Sequence, residues 1–324
     1  MRGSGLSRAP DSGEDGGSNV EHDRGREKGD AVKRTRLWLA ALIAVFALIV
    51  AACASNDDEG PTGGTGVTAE TGGTGATGET GFPAFTTLEE GVLQVANCLD
   101  YPPFESVVDG DEVGFDIDLV EEVAGRLGLE VEWIRADFDT VFTAVAGDQF
   151  DMVAAAATIL PEREDVVDFS VPYYNSRQSL TVNTQDTPDI TTTDQLGEGD
   201  VVGVQKGTTG KIWAEENLVP NGVELKTFQL ASDMFRDLEA GNVQGIINDE
   251  PASAEIVKDL PALSVVQAID TNEKYGFAFS PSNPELREAF NMAFEQVVAD
   301  GAYADILLQY FPGVEVPEEF QPTA

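Results

Sequence analysis

Hydrophobic and polar residues alternate along much of the chain in a way that predicts short strands followed by amphipathic helices. The first stretch is expected to form, in order, a strand, a helix, a strand, a helix and a strand: Val92 to Ala96, Asp116 to Leu127, Leu129 to Ile134, Asp139 to Ala146 and Asp151 to Ala156. Strands that alternate with helices in this way favour a mainly parallel α/β sheet.

The same alternation begins again after Leu180. Three more strands are predicted, at Val201 to Val204, Val223 to Phe228 and Gly245 to Asn248. The helices predicted between and after them are residues 207–217, 232–240, one from residue 251, 284–299 and 302–310, with a β-prone segment at residues 275–279. Residues 88–314 are therefore expected to form two α/β lobes of about 90 residues each, enough for separate cores.

A positively charged segment followed by an apolar one precedes this folded part. Basic residues at positions 33, 34 and 36 come before an uncharged run, residues 37–52, that is short for a membrane span. The run ends in Val-Ala-Ala-Cys at residues 50–53, which fits a bacterial lipobox and predicts cleavage before Cys53 and a lipid on its sulfur. The alternative is an uncleaved signal-anchor helix that contains a cysteine. We expect residues 1–52 to be a leader with a lipoprotein signal peptide, and Cys53 to hold the protein on the outer face of the bacterial membrane.

Three other segments are poor in apolar residues. Residues 1–31 are polar and Gly-rich, which suggests the hypothesis that translation begins at Val32. Residues 53–87 repeat Gly and Thr, cannot bury enough apolar surface to fold, and are expected to form a flexible tether about 30 Å long. Residues 315–324 are expected to form a polar tail.

The chain is strongly acidic, with 19 Lys+Arg, 58 Asp+Glu and a formal net charge of −39. Residues 1–52 hold 8 basic and 7 acidic residues, so 11 basic and 51 acidic residues would remain after cleavage, a net charge of −40. This charge repels nucleic acid and anionic lipid, so no nucleic-acid partner is expected. The acids are spread along the whole folded part, which favours solubility and is also compatible with a halophilic source.

The chain offers few residues for catalysis or metal binding. The two cysteines are Cys53 and Cys98, so lipidation of Cys53 would leave no disulfide. The one histidine, His22, lies in the leader, so the processed chain would have no histidine for a Ser–His pair, a Cys–His pair or a metal site. We therefore expect no catalytic residue, no metal and no cofactor.

Two short segments carry charges suited to a small ligand. Thr158 follows an apolar run and could cap a helix whose first turn holds Pro161 and Arg163. An arginine beside unpaired backbone N–H groups forms a site for a carboxylate. Asp249 ends a second apolar run, so the two side chains could grip both charged groups of a free amino acid. The alternative is a surface arginine paired with a neighbouring acid, Glu162 or Asp165.

An ordered series of motifs runs through residues 88–314. It consists of Asp100-Tyr101-Pro102-Pro103-Phe104-Glu105, Gly114-Phe115-Asp116-Ile117-Asp118-Leu119, Phe150-Asp151, Thr158 with Pro161-Glu162-Arg163, Val167-Asp168-Phe169-Ser170, Pro172-Tyr173-Tyr174, Val202-Gly203-Val204-Gln205 with Gly207-Thr208-Thr209, and Asn248-Asp249. In this order the motifs resemble the polar-amino-acid family of solute-binding proteins of ABC importers, the bacterial extracellular solute-binding proteins of family 3.

The resemblance implies a type II periplasmic-binding-protein-like α/β fold. In this fold two lobes are joined by two extended crossings, and the ligand lies in the cleft between them. We expect the crossings near Leu180 to Asn183 and Ala268 to Tyr275. Lobe one would then be residues 88–180 with 275–314, and lobe two would be residues 183–268.

The resemblance also implies how the two ends of an amino acid are held. Arg163 would bind the α-carboxylate from lobe one, and Thr209 would add a backbone N–H from a helix N-terminus in lobe two. Asp249 would hold the ammonium from lobe two. Thr158, through its hydroxyl, and Ala156, through its carbonyl, would bind the ammonium or the carboxylate. Each end would touch both lobes, so ligand binding would favour the closed state.

The remaining expected site residues surround the ligand side chain. By resemblance, Tyr101 and Phe138 would sandwich it, although both could be ordinary core aromatics. Thr208 would lie beside Thr209, and both could simply cap a helix. Cys98 is neutral where some relatives that bind basic amino acids carry an acid, which makes the pocket less anionic and weakens the case for arginine or lysine. Glu250 leaves a basic ligand open.

The function implied is a lipid-anchored, monomeric receptor that delivers an amino acid or a close analogue to an ABC permease and is not an enzyme. A first alternative is a prephenate-dehydratase-like enzyme on the same fold, with Glu105 or Glu250 as general acid. A second is the ligand-sensing domain of a signalling protein. That alternative needs a transmembrane helix and an output domain after residue 314, where this sequence has a short polar segment.

Overall fold

The computed structural model describes residues 81–323. The leader predicted at residues 1–52, the start at Val32, the lipidation of Cys53 and the tether up to residue 80 lie outside the described residues. In the part of the chain that is described, no helix is both long enough and apolar enough to cross a membrane.

The first lobe is built on a five-stranded sheet with strand order β4-β1-β5-β12-β6. Its strands are β1 (Val92–Asn97), β4 (Glu130–Arg135), β5 (Met152–Val153), β6 (Asp168–Phe169) and β12 (Ala278–Phe279). Strands β4 and β5 run parallel to β1, whereas β12 runs antiparallel to β5 and β6 because it returns from the second lobe. The predicted strand at Asp151 to Ala156 forms a regular ladder only over Met152 and Val153.

Helices flank this sheet and complete the first core. They are α1 (Phe115–Leu127), α2 (Phe138–Ala146), the one-turn α3 (Pro161–Glu164), α7 (Pro284–Ala299) and α8 (Ala302–Tyr310). Helix α1 ends as predicted at Gly128, whose φ of 73° is a left-handed conformation that glycine adopts without strain. A small antiparallel hairpin, β2 (Ser106–Val108) and β3 (Asp111–Val113), turns at Asp109-Gly110.

The second lobe has its own five-stranded sheet, ordered β11-β7-β10-β8-β9. Its strands are β7 (Tyr174–Asn183), β8 (Val201–Gln205), β9 (Glu224–Phe228), β10 (Gly245–Asp249) and β11 (Leu263–Tyr275), and its helices are α4 (Thr209–Asn217), α5 (Ala231–Glu239) and α6 (Glu250–Ile256). Two clusters of buried apolar side chains lie in lobe two, and two lie mainly in lobe one, one of which also includes Ala231 and Ala252 of lobe two. The predicted two-lobed α/β fold is confirmed.

The chain passes between the sheets at other residues than the sequence suggested. Leu180 to Asn183 lie inside β7 and pair with β10 and β11, and Ala268 to Tyr275 lie inside β11. The connections between the sheets are residues 170–173, from β6 to β7, and residues 276–277, from β11 to β12. Strand β7 was hidden in the sequence because it buries polar side chains, among them Ser176, Gln178, Ser179 and Thr181. We therefore place the lobe boundaries at these two connections.

Both described ends pack against the first lobe. Phe82 and Phe85, within the predicted tether, contact its core, and Phe320, within the predicted tail, is 5 % exposed. The Phe320 ring lies 4.7 Å from the ring of Tyr303, centroid to centroid. Single aromatic residues thus fix segments whose composition is otherwise polar. The average composition of the predicted tether and tail does not reveal this packing.

Candidate functional site

A cavity of about 510 Å³, a volume that includes its open mouth, lies between the two lobes. The nine ligand-binding residues predicted from the sequence all line it: Cys98, Tyr101, Phe138, Ala156, Thr158, Arg163, Thr208, Thr209 and Asp249.

The lobes touch across this cavity. The Lys206 ammonium of lobe two lies 2.7 Å from the Asp139 carboxylate of lobe one, and the backbone N–H of Ser232 donates to Asp100 at 3.1 Å. Gly207 has a φ of 79°, and a Cβ there would lie 3.0 Å from the Asp139 Cα. A glycine is therefore needed at this contact between the lobes.

Arg163 is a buried cation with an unusual set of partners. Its Nη1 donates to the carbonyl of Thr158 at 2.7 Å, and its Nη2 donates to the carbonyl of Gly207 at 3.0 Å. Its guanidinium carbon lies 4.7 Å from the ring centroid of Phe142 and 5.2 Å from that of Phe138. Burial lowers the pKa of Arg163 to about 10, so the group is still charged at neutral pH.

No ion pair forms on Arg163 within residues 81–323. The alternative pairing with Glu162 or Asp165 is thus not observed. A desolvated guanidinium that lacks a carboxylate is a strong site for an anionic ligand, because its two-pronged donor geometry matches a carboxylate.

Thr158 does not cap α3 as the sequence suggested. Helix α3 begins at Pro161 with Leu160 at the N-cap position and without a side-chain cap. Thr158 instead forms an isolated bridge with Tyr275 of β11, and its hydroxyl donates to the Oε2 atom of Glu273 at 2.6 Å. Pairing with β11 thus outweighs the local capping preference.

The N-terminus of α4 faces the cavity through two threonines. Thr208 is the N-cap, and its hydroxyl oxygen accepts the N–H of Lys211 at 3.2 Å. The Thr209 hydroxyl donates to Oε2 of Glu273 at 2.8 Å. The helix N-terminus adds partial positive charge that favours an anion near these residues.

Asp249 ends β10 and is buried in the cavity wall. Its carboxylate accepts hydrogen bonds from the Gln178 amide and the Tyr275 hydroxyl. Burial, and then the charge of Glu273, raise the pKa of Asp249 to about 7. An ammonium group placed here would offset both effects and favour the ionised carboxylate.

Two aromatic side chains shape the walls. The Tyr101 ring stacks on Phe104 with centroids 6.3 Å apart, and its hydroxyl donates to Oδ1 of Asn248 at 3.1 Å. Phe138 meets Phe142 edge to face at 5.6 Å. Both rings are therefore fixed by packing while they line the cavity.

The backbone of Ala156 is strained within the site. Its φ is 46°, a left-handed conformation that a non-glycine residue seldom adopts. The buried carboxylate of Asp116 holds it there by accepting its N–H at 2.9 Å, and also accepts the hydroxyl of Tyr173 at 2.8 Å. Strain of this kind is typical of binding sites.

Sequence reasoning did not assign Glu105 to the ligand pocket. Glu105 lines the cavity, is 1 % exposed, and neither of its carboxylate oxygens has a hydrogen-bond partner among residues 81–323. Burial, and then the charges of Asp116, Asp100 and Asp249, raise its pKa well above the ordinary value. A tight turn pairs Tyr101 with Glu105, so the motif that contains Tyr101 could have indicated it.

Other acidic candidates are placed differently. Asp100 also lines the cavity, whereas Glu250 is not among the lining residues and lies 3.5 Å from Arg177. Burial raises the pKa of the Cys98 thiol, so Cys98 is a neutral wall residue. In the part of the chain that is described, no group of three His, Cys, Asp or Glu residues is arranged to hold a metal ion.

This chain is similar in sequence and structure to several known proteins. Residues 93–313 match the family model for bacterial extracellular solute-binding proteins, family 3. A probable histidine-binding protein from Campylobacter jejuni is 31 % identical, with 70 % of this chain and 86 % of the relative covered. The structure of an ancestral arginine-binding protein bound to arginine is 34 % identical with a TM-score of 0.66, covering 68 % of this chain and 99 % of that one.

A third similar protein, also known from its structure, is an ancestral amino-acid-binding protein described as a precursor of cyclohexadienyl dehydratase. It is 33 % identical with a TM-score of 0.64, and the match covers 68 % of this chain and 96 % of that one. The family match extends over most of both lobes and includes the cavity between them. This chain therefore belongs to the bacterial extracellular solute-binding proteins of family 3.

Proposed function

We propose that this chain is an extracytoplasmic receptor that captures a free L-amino acid and delivers it, chemically unchanged, to the permease of an ABC transporter. The observation that carries the proposal is a buried arginine and a buried aspartate, Arg163 and Asp249, which line one cavity from different lobes. A free amino acid carries a carboxylate and an ammonium on the same carbon. A fixed cation and a fixed anion in one cleft match these two charges.

The neighbouring groups support this assignment of the two ends. Arg163 and the N-terminus of α4 at Thr209 form the positive part of the cavity, suited to the carboxylate. Asp249, with Thr158 and the carbonyl of Ala156, forms the part suited to the ammonium. Because both parts draw groups from both lobes, ligand binding stabilises the closed arrangement.

The ligand side chain is proposed to be cationic, with arginine as the first candidate. Glu105 supports this, because its buried carboxyl is without a hydrogen-bond partner in residues 81–323 and faces the cavity. A guanidinium or ammonium group would supply the missing donors and the missing charge. The neutral Cys98 argued against arginine or lysine as the ligand. Glu105 supplies the acidic group that Cys98 does not, so the proposal now favours a basic ligand. The similar proteins named for histidine and arginine agree with this choice.

The proposal is tested by a thermal-shift screen of the purified protein over the twenty common amino acids, followed by titration calorimetry. We expect L-arginine, L-lysine or L-histidine to give the largest rise in melting temperature, because a ligand that binds only the folded state stabilises it. Tightest binding by an acidic amino acid would contradict the assignment of Glu105. No shift with any amino acid would contradict the proposal as a whole.

One observation favours an enzyme as second candidate. Glu105, with its raised pKa, could donate a proton to a bound substrate, and one similar structure is described as a dehydratase precursor. Incubation with prephenate and arogenate distinguishes the two functions. A receptor leaves both compounds unchanged, whereas turnover that disappears in Glu105→Gln would establish the enzyme.

We further propose that a lipid on Cys53 holds the receptor at the outer face of the membrane, with residues 54–80 as the spacer. Replacement of Cys53 by serine should then move the protein from the membrane to the soluble fraction without a change in ligand affinity. Continued membrane association of Cys53→Ser would contradict lipidation and support a signal-anchor helix.

A further inference from the structure

Glu273 is a buried carboxylate that holds side chains from both lobes. Its Oε2 atom accepts the Thr158 hydroxyl at 2.6 Å and the Thr209 hydroxyl at 2.8 Å. Its Oε1 atom accepts the Gln178 amide at 2.9 Å and the Thr271 hydroxyl at 2.7 Å. Thr158 belongs to lobe one and Thr209 to lobe two, so a single carboxylate links the lobes through charge-assisted hydrogen bonds.

An irregularity of β11 brings Glu273 to this position. Between Ile269 and Glu273 the strand advances four residues while its partner β7 advances two, from Gln178 to Ser176. Asn272, inside this bulge, has a φ of 51°. Bulges of this kind redirect side chains and are common beside functional sites. The bulge thus lies next to the connection to lobe one and turns Glu273 toward the two threonines.

The hydrogen bonds to Glu273 decide what the threonines can offer a ligand. A hydroxyl has one hydrogen and two lone pairs. Thr158 and Thr209 both direct their hydrogen to Glu273, and the Thr209 oxygen also accepts the Gln178 amide at 3.1 Å. Thr158 therefore has two lone pairs left for a ligand, and Thr209 has one. Lone pairs accept hydrogen bonds from an ammonium group and repel a carboxylate. The Thr158 hydroxyl is therefore suited to the ligand ammonium and not to the ligand carboxylate.

We propose that Glu273 is a positioning residue of the binding site. It orients the Thr158 and Thr209 hydroxyls as acceptors for the ligand ammonium, and it holds the closed cleft together by binding one threonine from each lobe. The first part rests on the proposed capture of an amino acid. The second part concerns the protein alone and can be tested without a ligand.

Thr271 provides a matched control for a purely structural role. It donates to the same carboxylate, at a distance between those of Thr158 and Thr209, and it is not among the residues that line the cavity. Thr→Val replacement is nearly isosteric at each position and removes one hydrogen bond to Glu273. If Glu273 only stabilises the fold, Thr158→Val and Thr271→Val should have the same effect on ligand preference and on the radius of gyration.

The ligand test compares L-arginine with 5-guanidinopentanoate, which is arginine without its α-ammonium. Calorimetry gives the ratio of the two dissociation constants for wild type, Glu273→Gln, Thr158→Val and Thr271→Val. We expect the preference for arginine to fall about tenfold in Glu273→Gln and in Thr158→Val, as for the loss of one hydrogen bond to a charged group. Thr271→Val should keep the wild-type ratio within about twofold. A structural defect would weaken both compounds in proportion, so an unchanged ratio in Glu273→Gln would overturn the ligand part.

The lobe-holding part is tested by solution scattering of the ligand-free proteins. We expect Glu273→Gln and Thr158→Val to have a larger radius of gyration than wild type and Thr271→Val. Equal radii of gyration in all four proteins would overturn the claim that Glu273 holds the lobes together. An increase in Thr271→Val equal to that in Thr158→Val would overturn it as well. If wild type binds neither arginine nor 5-guanidinopentanoate, the proposed ligand is wrong and scattering alone decides the role of Glu273. If circular dichroism shows that Glu273→Gln does not fold, the Thr158→Val and Thr271→Val pair makes both comparisons.

Discussion

Two parts of the cavity wall differ in how their polar groups are satisfied. In the first part, here called the anchoring set (Thr158, Arg163, Thr209 and Asp249), each side chain has at least one hydrogen-bond partner, and Arg163 has one in each lobe. In the second part, the Glu105 carboxyl has no hydrogen-bond partner within residues 81–323, and Cys98, which also lines the cavity, is a neutral thiol. The first is built in advance, whereas the second is left incomplete.

This difference corresponds to the two tasks of an amino-acid receptor. The α-carboxylate and α-ammonium are common to all amino acids, so the groups that bind them can be fixed before the ligand arrives, which reduces the cost of ordering them. The side chain varies, so discrimination is strongest where the protein has an unmet need that one side chain fulfils. A buried polar group left without a partner penalises every ligand that does not supply one.

Removal of Arg163 should break the anchoring set most severely. In Arg163→Ala the ligand carboxylate would be buried without its cation, which costs about 2–5 kcal/mol, or about 30- to 3,000-fold in affinity. Calorimetry should show this loss for every amino acid that wild type binds. Arg177→Ala is the control, because Arg177 is half exposed and lies beside Glu250, outside the cavity lining. Affinity within a few-fold of wild type in Arg163→Ala would mean that the ligand binds elsewhere.

Asp249→Asn should have the next largest effect. The ammonium would keep a hydrogen-bond acceptor but lose the charge, which costs about 1.5–3 kcal/mol, or about 10- to 100-fold in affinity. The loss should be the same for arginine and glutamine, because Asp249 binds a group that both share. A loss of affinity for only one of the two ligands would show that Asp249 binds the ligand side chain and not the α-ammonium.

Glu105→Gln tests the incomplete part of the wall. We expect arginine to bind about tenfold more weakly, whereas glutamine should stay within about twofold, because only a cationic side chain benefits from the carboxylate. The matched variant Cys98→Ser should leave the preference between the two ligands unchanged. A similar loss for both ligands in Glu105→Gln would show that Glu105 supports the fold rather than the choice of ligand.

The pH dependence should be smaller and should have opposite signs for stability and for binding. Burial raises the pKa of Asp249 from 3.8 to about 7, so the folded protein holds a proton that the unfolded chain releases. The resulting stability is fully present below about pH 4 and is lost as the pH rises through about 7. The groups that face Asp249 are Glu273, Tyr275, Tyr101, Gln178 and, through their charges, Arg163 and Glu105.

An ammonium ligand favours ionised Asp249, so arginine affinity should rise over the same pH range in which this stability is lost. Calorimetry and thermal unfolding at about pH 5 and about pH 7.5 check both trends. Asp249→Asn should show a smaller pH dependence of the melting temperature and of the affinity than wild type. Equal pH dependence in the two proteins would show that Asp249 does not titrate in this range.

Thr158, Arg163 and Asp249 could be predicted from the sequence because they follow apolar runs, whereas the role of Thr209 was implied by the resemblance of the ordered motifs to the family. Arg163 and Asp249 follow buried segments at the edge of a sheet, and the order of the motifs indicated the fold. Glu273 could not be predicted, because it depends on a two-residue bulge in a strand whose pairing partner, β7, is masked by buried polar residues. Long-range pairing of that kind leaves no local pattern.

The role of Glu105 could not be predicted from the sequence for a different reason. The sequence suggests Glu105 only as a general acid of the alternative enzyme, because no motif of its own marks it as a ligand-binding residue. The turn from Tyr101 to Glu105 instead packs into the core through Tyr101 and Phe104 and leaves Glu105 buried, and burial, then the charges of Asp116, Asp100 and Asp249, raise its pKa. The docked Phe320 illustrates the same point at the chain end, since one aromatic residue can outweigh the polar composition around it.

The most direct test of the account is a calorimetric comparison of three compounds on the purified protein: L-arginine, agmatine and L-glutamine. Agmatine has the arginine side chain and amino group but no carboxylate, and glutamine has both α-groups but no side-chain charge. We predict that arginine binds one to one, about 100-fold or more tighter than agmatine and about tenfold tighter than glutamine. Agmatine binding as tightly as arginine would contradict a carboxylate held by Arg163, and with it the proposed division of the cavity.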